Sequence, residues 1–515
     1  MGGKSGSGRA RSVSASGQVP LGFDVVVEPS APPVTERADF KDPDPRRIVI
    51  GSSTLGDFMG LSGLSWVVDM RTLLRSLDWS SYESRYKAGG RPPYHPVNLV
   101  GLLLLGHITG LTSLRQMDQL GRTDVRAWWL TGGIMPDYSS LCRFVIRHAA
   151  DLTEATFEAL TQRILTQLGS KADSVFIDGT VVQAAASRWR LLKQEAAAQA
   201  AREARAAAQE APEDKALACK ADLAEQALQI VQDRDAGRVA KGRTADAKVA
   251  PHEPDAVYQP LKEGGYAPSY KPSAAANADR IVVAKQVEAS NEAKQVGGLL
   301  DQATRVAQTP VRTAALDAGY NNAEVLESCD RRNVEVLCPE GKTTGGENSW
   351  VQERSNIGKD KFQYHAERDC YICPQGRELV FEFRCRPTNG APPYNRYKSI
   401  SCEQCPLRQQ CIGPKSSQRT VKRYAHDARK EVLRATMAQP DARARYKQRQ
   451  ASIEPVHGEQ KHIQNMRRFR RRGLSKVRLE YSLHCMAHNL RRFRALRAKT
   501  PGKNGSGPGK STQRG

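Results

Sequence analysis

The chain has the pattern of an α/β protein, in which a mixed sheet follows an N-terminal helical domain and is interrupted by two insertions. Three observations support this prediction. Helical periodicity extends from Leu55 to about Ala150, short runs rich in Val and Ile occur between residues 174 and 337, and two stretches of different composition interrupt the chain beyond residue 187. With 515 residues, the chain is long enough for two or more domains.

The N-terminal pattern predicts short helices joined by tight turns. Pro96 can open a helix through the run VNLVGLLLLG. Thr112 or Ser113 can cap a second helix, LRQMDQL, and Thr123 can cap a third, DVRAWWL. After two glycines at 132 and 133, residues 136–140 begin a fourth helix that carries LCRFVIRH.

Such a succession of short helices is typical of a helix-turn-helix module. Arg143 and Arg147 lie four residues apart, so they share the exposed face of the fourth helix. We therefore predict a helical DNA-binding domain over residues 39–165. A small helical packing domain fits the same pattern equally well.

The core sheet is predicted from short apolar runs that are bounded by turn residues. These runs are 174–177, 180–183, 280–287, 313–316 and 334–337. Helical stretches separate the later runs, which indicates an α/β sheet with mixed pairing. The predicted core comprises residues 171–187, 269–339 and 426–498.

Two insertions interrupt this core. Residues 188–268 are rich in Ala, Glu and Arg and are divided by Pro212, which predicts a helical hairpin. An apolar stripe along one of its helices is formed by Leu217, Ala221, Ala224, Leu228 and Val231. The second insertion, residues 340–425, is rich in Cys.

The C-terminal part of the core is predicted to be helical. One helix should occupy residues 454–472 and end at Gly473, and Ser475 should cap the next helix. The apolar stripe of that last helix is Leu479, Leu483, Met486, Leu490 and Phe493. The flanking segments 1–38 and 499–515 are basic and rich in Gly and Ser, and we expect both to be disordered.

The charge balance favours a polyanionic partner. Lys and Arg total 78 against 55 acidic residues, which gives a net charge of +23. Each Lys or Arg that neutralises a phosphate releases a counterion, so this excess suits DNA, although ribosomal and membrane-surface proteins share it. The sequence has no apolar run of about 18 residues and no secretory signal, so we expect no membrane span and a cytoplasmic location.

Two acidic residues stand where a metal-dependent site for DNA cleavage would need them. Such a site requires carboxylates from separate elements to hold two divalent ions about 3.5–4 Å apart. Asp178 closes the apolar run SVFID and Asp317 closes the run TAALD, and a Gly follows each within two residues. Taken alone, an Asp after a strand is usually an ordinary turn residue.

Glu454 is the third carboxylate candidate. Pro455 follows it and can occupy the first turn of a helix. Lys461 lies seven residues beyond Glu454 on nearly the same helical face, whereas Tyr446 and Arg449 share a face of the preceding segment. An ordinary solvated, charged helix also fits these residues.

Five of the eleven cysteines lie between residues 370 and 411, a clustering that indicates metal ligation. Two CxxC pairs, Cys370 with Cys373 and Cys402 with Cys405, can form a tetrahedral structural zinc site. Cys411 is a spare or substitute ligand, so four of the five would bind zinc. Reduced, unligated thiols are the alternative.

Several motifs stand in the order found in one protein family. The motifs are YHPVNLVGLLLLGHITGLTSLRQMDQL, PDYSSLCRF, IDGTVVQAAAS, LDAGYNNAEV, Tyr446-x2-Arg449-x4-Glu454-x6-Lys461 and RFRRRGLSKVRLEYSLHCMAHNLRR. Together they resemble bacterial insertion-sequence transposases of the DDE class, in the branch with a Tyr-Arg-Glu-Lys signature (insertion-sequence group 1182). The resemblance covers most of residues 90–495.

The resemblance implies an RNase H-like core, with Asp178 at the end of the first strand, Asp317 after the fourth and Glu454 at the start of a late helix. These three residues would be catalytic and would bind two Mg²⁺ (or Mn²⁺) ions. The implied reaction is hydrolysis at the element ends, followed by attack of the freed 3′-hydroxyl on target DNA. The protein is then expected to be nucleoid-associated and to act on double-stranded DNA as a homodimer or larger assembly.

The resemblance also implies which residues contact DNA. Tyr446, Arg449 and Lys461 would contact phosphate and the transposon end, and the planar fork of Arg449 suits a phosphate. The arginine run that follows the site is expected to contact DNA as well. This run comprises Arg467, Arg468, Arg470, Arg471 and Arg472.

The sequence departs from the family pattern at two places, and two other functions fit it. His457 stands where an aromatic residue is more usual, and SYKPSAAANAD is a loose version of the corresponding segment.

A decayed or domesticated transposase would act as a non-catalytic DNA-binding protein, and a metal-dependent nuclease would cleave without strand transfer. Glu480 is a rival for the third carboxylate, but it lacks the Tyr, Arg and Lys neighbours of Glu454.

Overall fold

The computed structural model describes residues 38–240, 242–290, 293–339, 357–386, 392–413 and 416–499. The segments predicted to be disordered, 1–38 and 499–515, lie outside the described residues except for Ala38 and Lys499. Residues 340–356 of the predicted Cys-rich insertion also lie outside them.

Helices make up the N-terminal region, after a short antiparallel pair of strands, β1 (Val49–Ile50) and β2 (Ser53–Thr54). The helices are α1 (Leu55–Leu61), α2 (Ser65–Arg75), α3 (Ser80–Glu83), α4 (Pro96–Ile108), α5 (Leu114–Thr123), α6 (Val125–Thr131), α7 (Tyr138–Arg147), α8 (Ala149–Thr153) and α9 (Ala155–Leu168). Every residue of α4 is buried, because this helix is apolar on nearly all sides. Gly106 allows close packing of α5, since a Cβ there would lie 2.7 Å from Cε of Met117.

One of the helix caps differs from its prediction. Ser113 caps α5 through a capping box with Gln116, and it is one of the two candidates predicted there. The prediction that Thr123 caps α6 is wrong, because Thr123 is the last residue of α5. A single residue separates the two helices, and its carboxylate is the cap: Asp124 accepts a hydrogen bond from the backbone N–H of Arg126 at 2.8 Å.

The core sheet contains β3 (Ser174–Gly179), β6 (Tyr266–Ala276), β7 (Val282–Glu288), β8 (Thr313–Ala315) and β9 (Glu335–Leu337). In the sheet these strands lie in the order β7-β6-β3-β8-β9. Strand β6 is antiparallel to β3 and β7, whereas β8 runs parallel to β3 and β9 runs parallel to β8. This mixed sheet is consistent with the implied RNase H-like core.

Strand β6 was not predicted, although it is the longest strand of the core sheet among the described residues. Its sequence, YAPSYKPSAAA, contains two prolines and mostly small residues, a composition that is typical of a loop. Small residues fit here because neighbouring strands cover the segment, and Ala274, Ala275 and Ala276 are fully buried. The first half of β6 also pairs with two short strands, β4 (Val182–Gln183) and β5 (Val257–Pro260).

Helices cover the sheet. They are α12 (Val296–Ala307), α13 (Ala323–Asp330), α15 (Asp427–Ala438), α16 (Pro440–His462) and α17 (Leu474–Arg497). Helix α16 packs against β3 and β6, and α17 packs against β7 and against helices α4 and α9. Helix α17 therefore joins the N-terminal helices to the core sheet, and α16 lies beside the strand that carries Asp178.

The predicted bounds of the two C-terminal helices are wrong. Helix α16 begins at Pro440, so Glu454 lies well inside it and Pro455 is an internal proline. It ends at His462, and the arginine run that follows pairs with β4: the backbone N–H of Phe469 donates to Gln183 O at 2.8 Å. Ser475 does not cap α17, which begins at Leu474 after a glycine with φ of 87°.

The two insertions have different structures. Helices α10 (Gln194–Glu210) and α11 (Lys215–Val239) form a hairpin, and its small core includes Ala197, Ala227 and Val231. Among the described residues, the Cys-rich insertion is a five-stranded antiparallel sheet with one short helix, α14 (Arg408–Cys411). Its strands, which lie in chain order, are β10 (Gln363–His365), β11 (Cys370–Ile372), β12 (Glu378–Cys385), β13 (Tyr394–Ser399) and β14 (Thr420–Tyr424).

None of the helices in the described part of the chain combines the length and the apolar character that crossing a membrane requires.

Candidate active site

Asp178 and Asp317 lie at the same edge of the core sheet. Asp178 is the penultimate residue of β3, and Asp317 follows the end of β8 by two residues. Since β3 and β8 are adjacent and parallel, with Phe176 paired to Ala315, the chain leaves both strands at this edge. One oxygen of Asp317 accepts a hydrogen bond from the backbone N–H of Gly319 at 2.8 Å, which fixes its turn.

Arg449 of α16 connects the two carboxylates. Its Nη2 lies 2.9 Å from Oδ1 of Asp178 and 3.9 Å from Oδ2 of Asp317. Burial raises the pKa of Asp178 to about 6; Arg449 opposes this rise, and the nearby negative charge of Asp317 adds to it. The two carboxylates therefore lie close enough to interact, and the guanidinium partly compensates their charge.

Arg449 itself is almost buried, with 9% of its surface exposed, and its Nε has no hydrogen-bond partner among the described residues. Tyr446, one turn earlier on α16, is half-buried near the same groups, and burial raises the pKa of its hydroxyl. Two of the predicted DNA-contacting residues thus lie beside Asp178 and Asp317.

His457 also faces Asp178 from α16. Its Nε2 lies 3.9 Å from Oδ2 of Asp178, and only 7% of the residue is exposed. Within the described part of the chain, neither ring nitrogen has a hydrogen-bond partner. Burial, with the positive charge of Lys262 as a further cause, lowers the pKa of His457 to about 4, so the ring is neutral at pH 7.

Glu454 lies on the exposed surface of α16, next to the face that carries His457. It is exposed, and at about 100° per residue its side chain is rotated by about 60° from His457 and about 140° from Arg449. No hydrogen bond or ion pair connects it to another described residue. In the part of the chain that the structure describes, no group of three His, Cys, Asp or Glu side chains could hold a metal ion. The three-carboxylate set stays a prediction.

Two lysines add positive charge to this edge. Nζ of Lys461 donates a hydrogen bond to Val181 O at 3.1 Å, three residues beyond Asp178. Lys262, in the turn between β5 and β6, is close enough to lower the pKa of Lys461 as well as that of His457. Sequence reasoning did not identify Lys262 or His457 as site residues, because their positions depend on how β6 and α16 are placed.

The arginine run contributes partly to the fold. Arg468 donates to the backbone carbonyl oxygens of Ala184, Ala185 and Ala186 at distances of 3.0, 2.5 and 3.2 Å. Arg467 and Arg472 are exposed. The run therefore positions the chain after β4 while leaving cationic side chains at the surface.

Glu480, the rival carboxylate, has a structural role. It is 3% exposed and accepts hydrogen bonds from the backbone N–H groups of Arg470 and Arg471. The side chain of Arg470 donates to Oγ1 of Thr112 at 2.6 Å, and burial lowers the pKa of Arg471. These contacts anchor the arginine run to α17 and to the N-terminal region, far along the chain from Asp178.

In the N-terminal helical region, the side chains of Arg143 and Arg147 are exposed on α7, as predicted. The Arg147 guanidinium stacks over the ring of Tyr86, with 4.8 Å from Cζ to the ring centroid. Nη2 of Arg143 donates to Oγ of Ser140 at 3.3 Å. Both side chains are therefore available at a surface, as DNA contact would require.

Four of the five clustered cysteines surround one small cavity in the Cys-rich insertion, although the described side chains do not stand in a group that could hold a metal ion as they are placed. The cavity is lined by Cys373, Cys402, Cys405 and Cys411. Cys370 does not line it; its Sγ instead lies 3.8 Å from Nη2 of Arg368. Burial, reinforced by the other three thiols, raises the pKa of Cys411.

Two segments of the chain match transposase family models. Residues 372–494 match the transposase DDE domain, and residues 65–147 match the transposase domain DUF772. Together these matches support an insertion-sequence transposase of the DDE type. No curated protein matches the chain.

The two matches cover different parts of the chain's architecture. The DUF772 match spans helices α2 to α7, including Arg143 and Arg147. The DDE match runs from the Cys-rich insertion into α17 and so includes Arg449, Glu454 and His457. Strands β3 and β8, with Asp178 and Asp317, lie outside both matches, so the site joins a matched helix to an unmatched sheet edge.

Proposed function

We propose that this protein cuts DNA at the ends of an insertion sequence and joins the freed ends to target DNA, with Asp178 and Asp317 as ligands of Mg²⁺ or Mn²⁺. The observation that carries the proposal is the meeting of two carboxylates from adjacent parallel strands under the guanidinium of Arg449, in a chain with two transposase matches. Transposases act on DNA, and the net charge of +23 suits that partner.

The side chains at this edge fit divalent ions that prefer oxygen ligands. Asp178 is largely buried, and this burial raises its pKa despite the nearby Arg449 and Lys262. Bound ions would polarise the phosphate and activate a water or a 3′-hydroxyl. Glu454, on the exposed side of α16, is proposed as the third carboxylate.

The chain's own residues would position the DNA. Arg449 can hold a phosphate oxygen through two donors, beside the hydroxyl of Tyr446. Lys461 and Lys262 would attract the backbone on either side of the scissile phosphate. The exposed arginines of α7 would bind the element end at a distance from the cut, and synapsis of two ends would require a dimer or larger assembly.

The test uses the full chain, Mg²⁺ or Mn²⁺, and DNA carrying the inverted repeats that flank the gene. We expect both cleaved and joined products, and we expect Asp178→Asn or Asp317→Asn to lower cleavage at least about 10³-fold while DNA binding persists. Asp301→Asn is the matched control, because this exposed Asp of α12 pairs with Arg332 away from the site.

Each other result identifies a different function. Cleavage without joining would indicate a metal-dependent nuclease. Binding without cleavage under all conditions would indicate a non-catalytic DNA-binding protein. Parental cleavage rates in the Asp178→Asn protein would remove that residue from the site.

We also propose that Cys373, Cys402, Cys405 and Cys411 bind a structural Zn²⁺. Their common cavity supports this set over one that includes Cys370. Elemental analysis should find about one zinc per chain, and Cys402→Ser or Cys411→Ser should remove it. Cys370→Ser is the control that should keep it. Zinc loss from Cys370→Ser but not from Cys411→Ser would contradict the set.

A further inference from the structure

His457 is a buried polar side chain that the fold leaves unsatisfied. It is 7% exposed, and neither of its ring nitrogens has a hydrogen-bond partner in the described part of the chain. Buried polar groups are nearly always hydrogen-bonded, and a bound ion is one explanation for an exception. The backbone of Asp178 and the side chain of Gln460 lie near the ring, but neither forms a hydrogen bond with it, so both ring nitrogens are open to a further partner.

The position of His457 indicates what that partner is. Nε2 lies 3.9 Å from Oδ2 of Asp178, while Arg449 holds the other oxygen, Oδ1, at 2.9 Å. Two ligands of one ion, each with a bond of about 2.1 Å, can be at most about 4.2 Å apart. A single divalent ion between Nε2 and Oδ2 satisfies this limit.

Side chains of both charges surround this point. Asp178 and Asp317 are acidic side chains on either side of Arg449, and an unprotonated Nε2 of the His457 imidazole offers a lone pair to a metal ion. Lys262, in the exposed turn between β5 and β6, and Lys461 of α16 are positive groups near the ring, and Arg449 pairs with Asp178. Glu454, three residues before His457 on α16, is exposed.

We propose that Nε2 of His457 is a ligand of the divalent ion that Asp178 binds, so that the site contains both imidazole and carboxylate. This inference rests on the proposed function, because it concerns the same ion. An imidazole ligand shifts metal preference away from Mg²⁺ and toward Mn²⁺ or Co²⁺. The site should therefore bind Mn²⁺ more tightly than a site of carboxylates alone.

The direct test is pulsed electron paramagnetic resonance of Mn²⁺ bound to the full-length protein. Electron spin echo envelope modulation should show coupling to ¹⁴N, and the coupling should change to that of ¹⁵N when histidine is labelled with ¹⁵N. This comparison uses the parental protein alone, so it decides the matter even if a variant fails to fold.

Variants then assign the coupling to one residue. His457→Phe keeps a ring in the buried space and should lose the nitrogen coupling, with Mn²⁺ affinity lowered at least about tenfold and Mg²⁺ affinity lowered less. His462→Phe is the control, because His462 is an exposed histidine at the end of the same helix. It should keep the parental spectrum.

The outcomes separate this inference from the proposed function. Bound Mn²⁺ that depends on Asp178 but shows no nitrogen coupling would overturn the inference and leave the proposed function intact. Coupling that survives in His457→Phe would also overturn the inference. If Asp178→Asn does not alter Mn²⁺ binding, the proposed metal site itself fails.

Discussion

Helices α4 and α16 each begin at a proline and each bury a histidine, but they surround that histidine differently. In α4 every residue is buried, and Nδ1 of His107 donates a hydrogen bond to Leu103 O at 2.8 Å. In α16 the buried face carries Arg449 and His457, and among the described residues His457 has no hydrogen-bond partner.

This difference shows that burial has two different effects in the two helices: in α4 it stabilises the fold, and in α16 it places polar side chains at the candidate site. A helix that is apolar on nearly all sides and satisfies its one polar ring contributes packing energy. A helix that buries a charge and an unsatisfied ring against carboxylates lowers stability unless a ligand completes the set. Substitutions in α4 should therefore change stability, and substitutions on the buried face of α16 should change activity.

The largest effect is expected at Arg449. Arg449→Lys keeps the charge but loses the planar fork, and Arg449→Gln loses both. We expect end cleavage at saturating DNA to fall about 10²-fold for Lys and about 10³-fold for Gln. Initial rates of cleavage with Mg²⁺ measure this.

The control for Arg449 lies on the same helix. Arg443 is exposed near the start of α16, and its Nε donates to Met437 O at 2.9 Å. Arg443→Gln should stay within about twofold of the parental rate, since surface substitutions rarely matter. Equal losses in both variants would mean that Arg449 acts through general DNA attraction and not at the scissile phosphate.

The next effect is a loss of stability from α4. Leu104 is fully buried among apolar side chains. Leu104→Ala should lower the free energy of unfolding by about 2–5 kcal/mol, because it removes buried methyl groups and leaves a cavity. Urea denaturation measures this change, and Mn²⁺ affinity measured alongside should stay at the parental value.

Leu61 provides the matched control, since it is 87% exposed at the end of α1. Leu61→Ala should change the free energy of unfolding by less than about 0.5 kcal/mol. A loss of Mn²⁺ affinity in folded Leu104→Ala protein would show that the helical region and the site are coupled, contrary to the division drawn between the two helices.

The sequence reveals the carboxylates of the site more readily than the helix that faces them. Asp178 and Asp317 each close a short apolar run, and parallel pairing of those runs brings the two residues to one edge. The position of His457 depends on the extent of α16. If the helix is assumed to start at Glu454, Arg449 lies outside it. The eight-residue spacing between Arg449 and His457 then does not indicate that both belong to one helix.

Two local rules explain why α16 and β6 were misread. Pro455 reads as a helix start because an internal proline removes a hydrogen bond and usually breaks a helix, at a cost of about 3 kcal/mol. Helix α16 nevertheless continues through it, packed against β3 and β6. Pro268 and Pro272 likewise argue against a strand, yet β6 tolerates them within the core sheet. In both cases tertiary packing outweighs local preference.

The smallest effect is a pH dependence of stability from His107. Burial lowers its pKa to about 4, whereas an unfolded histidine titrates near about 6.5. The unfolded chain therefore takes up a proton first as the pH falls. The contribution of His107 is fully present above about pH 6.5 and decreases toward pH 4, by up to about 3 kcal/mol.

A variant separates the contribution of His107 to the pH dependence of stability from that of other buried histidines. One of these is His148, whose pKa is also lowered to about 4. His107→Gln keeps a side-chain donor for Leu103 O but does not titrate, so its free energy of unfolding should fall less steeply with acid than that of the parental protein. His462→Gln, at an exposed position, should keep the parental slope. If His107→Gln and the parental protein have the same slope between pH 6.5 and 4, then His107 accepts a proton inside the folded helix without penalty. Helix α4 would then tolerate a buried charge, as α16 does. The two helices would differ in the groups that contact their histidines and not in how deeply the histidines are buried.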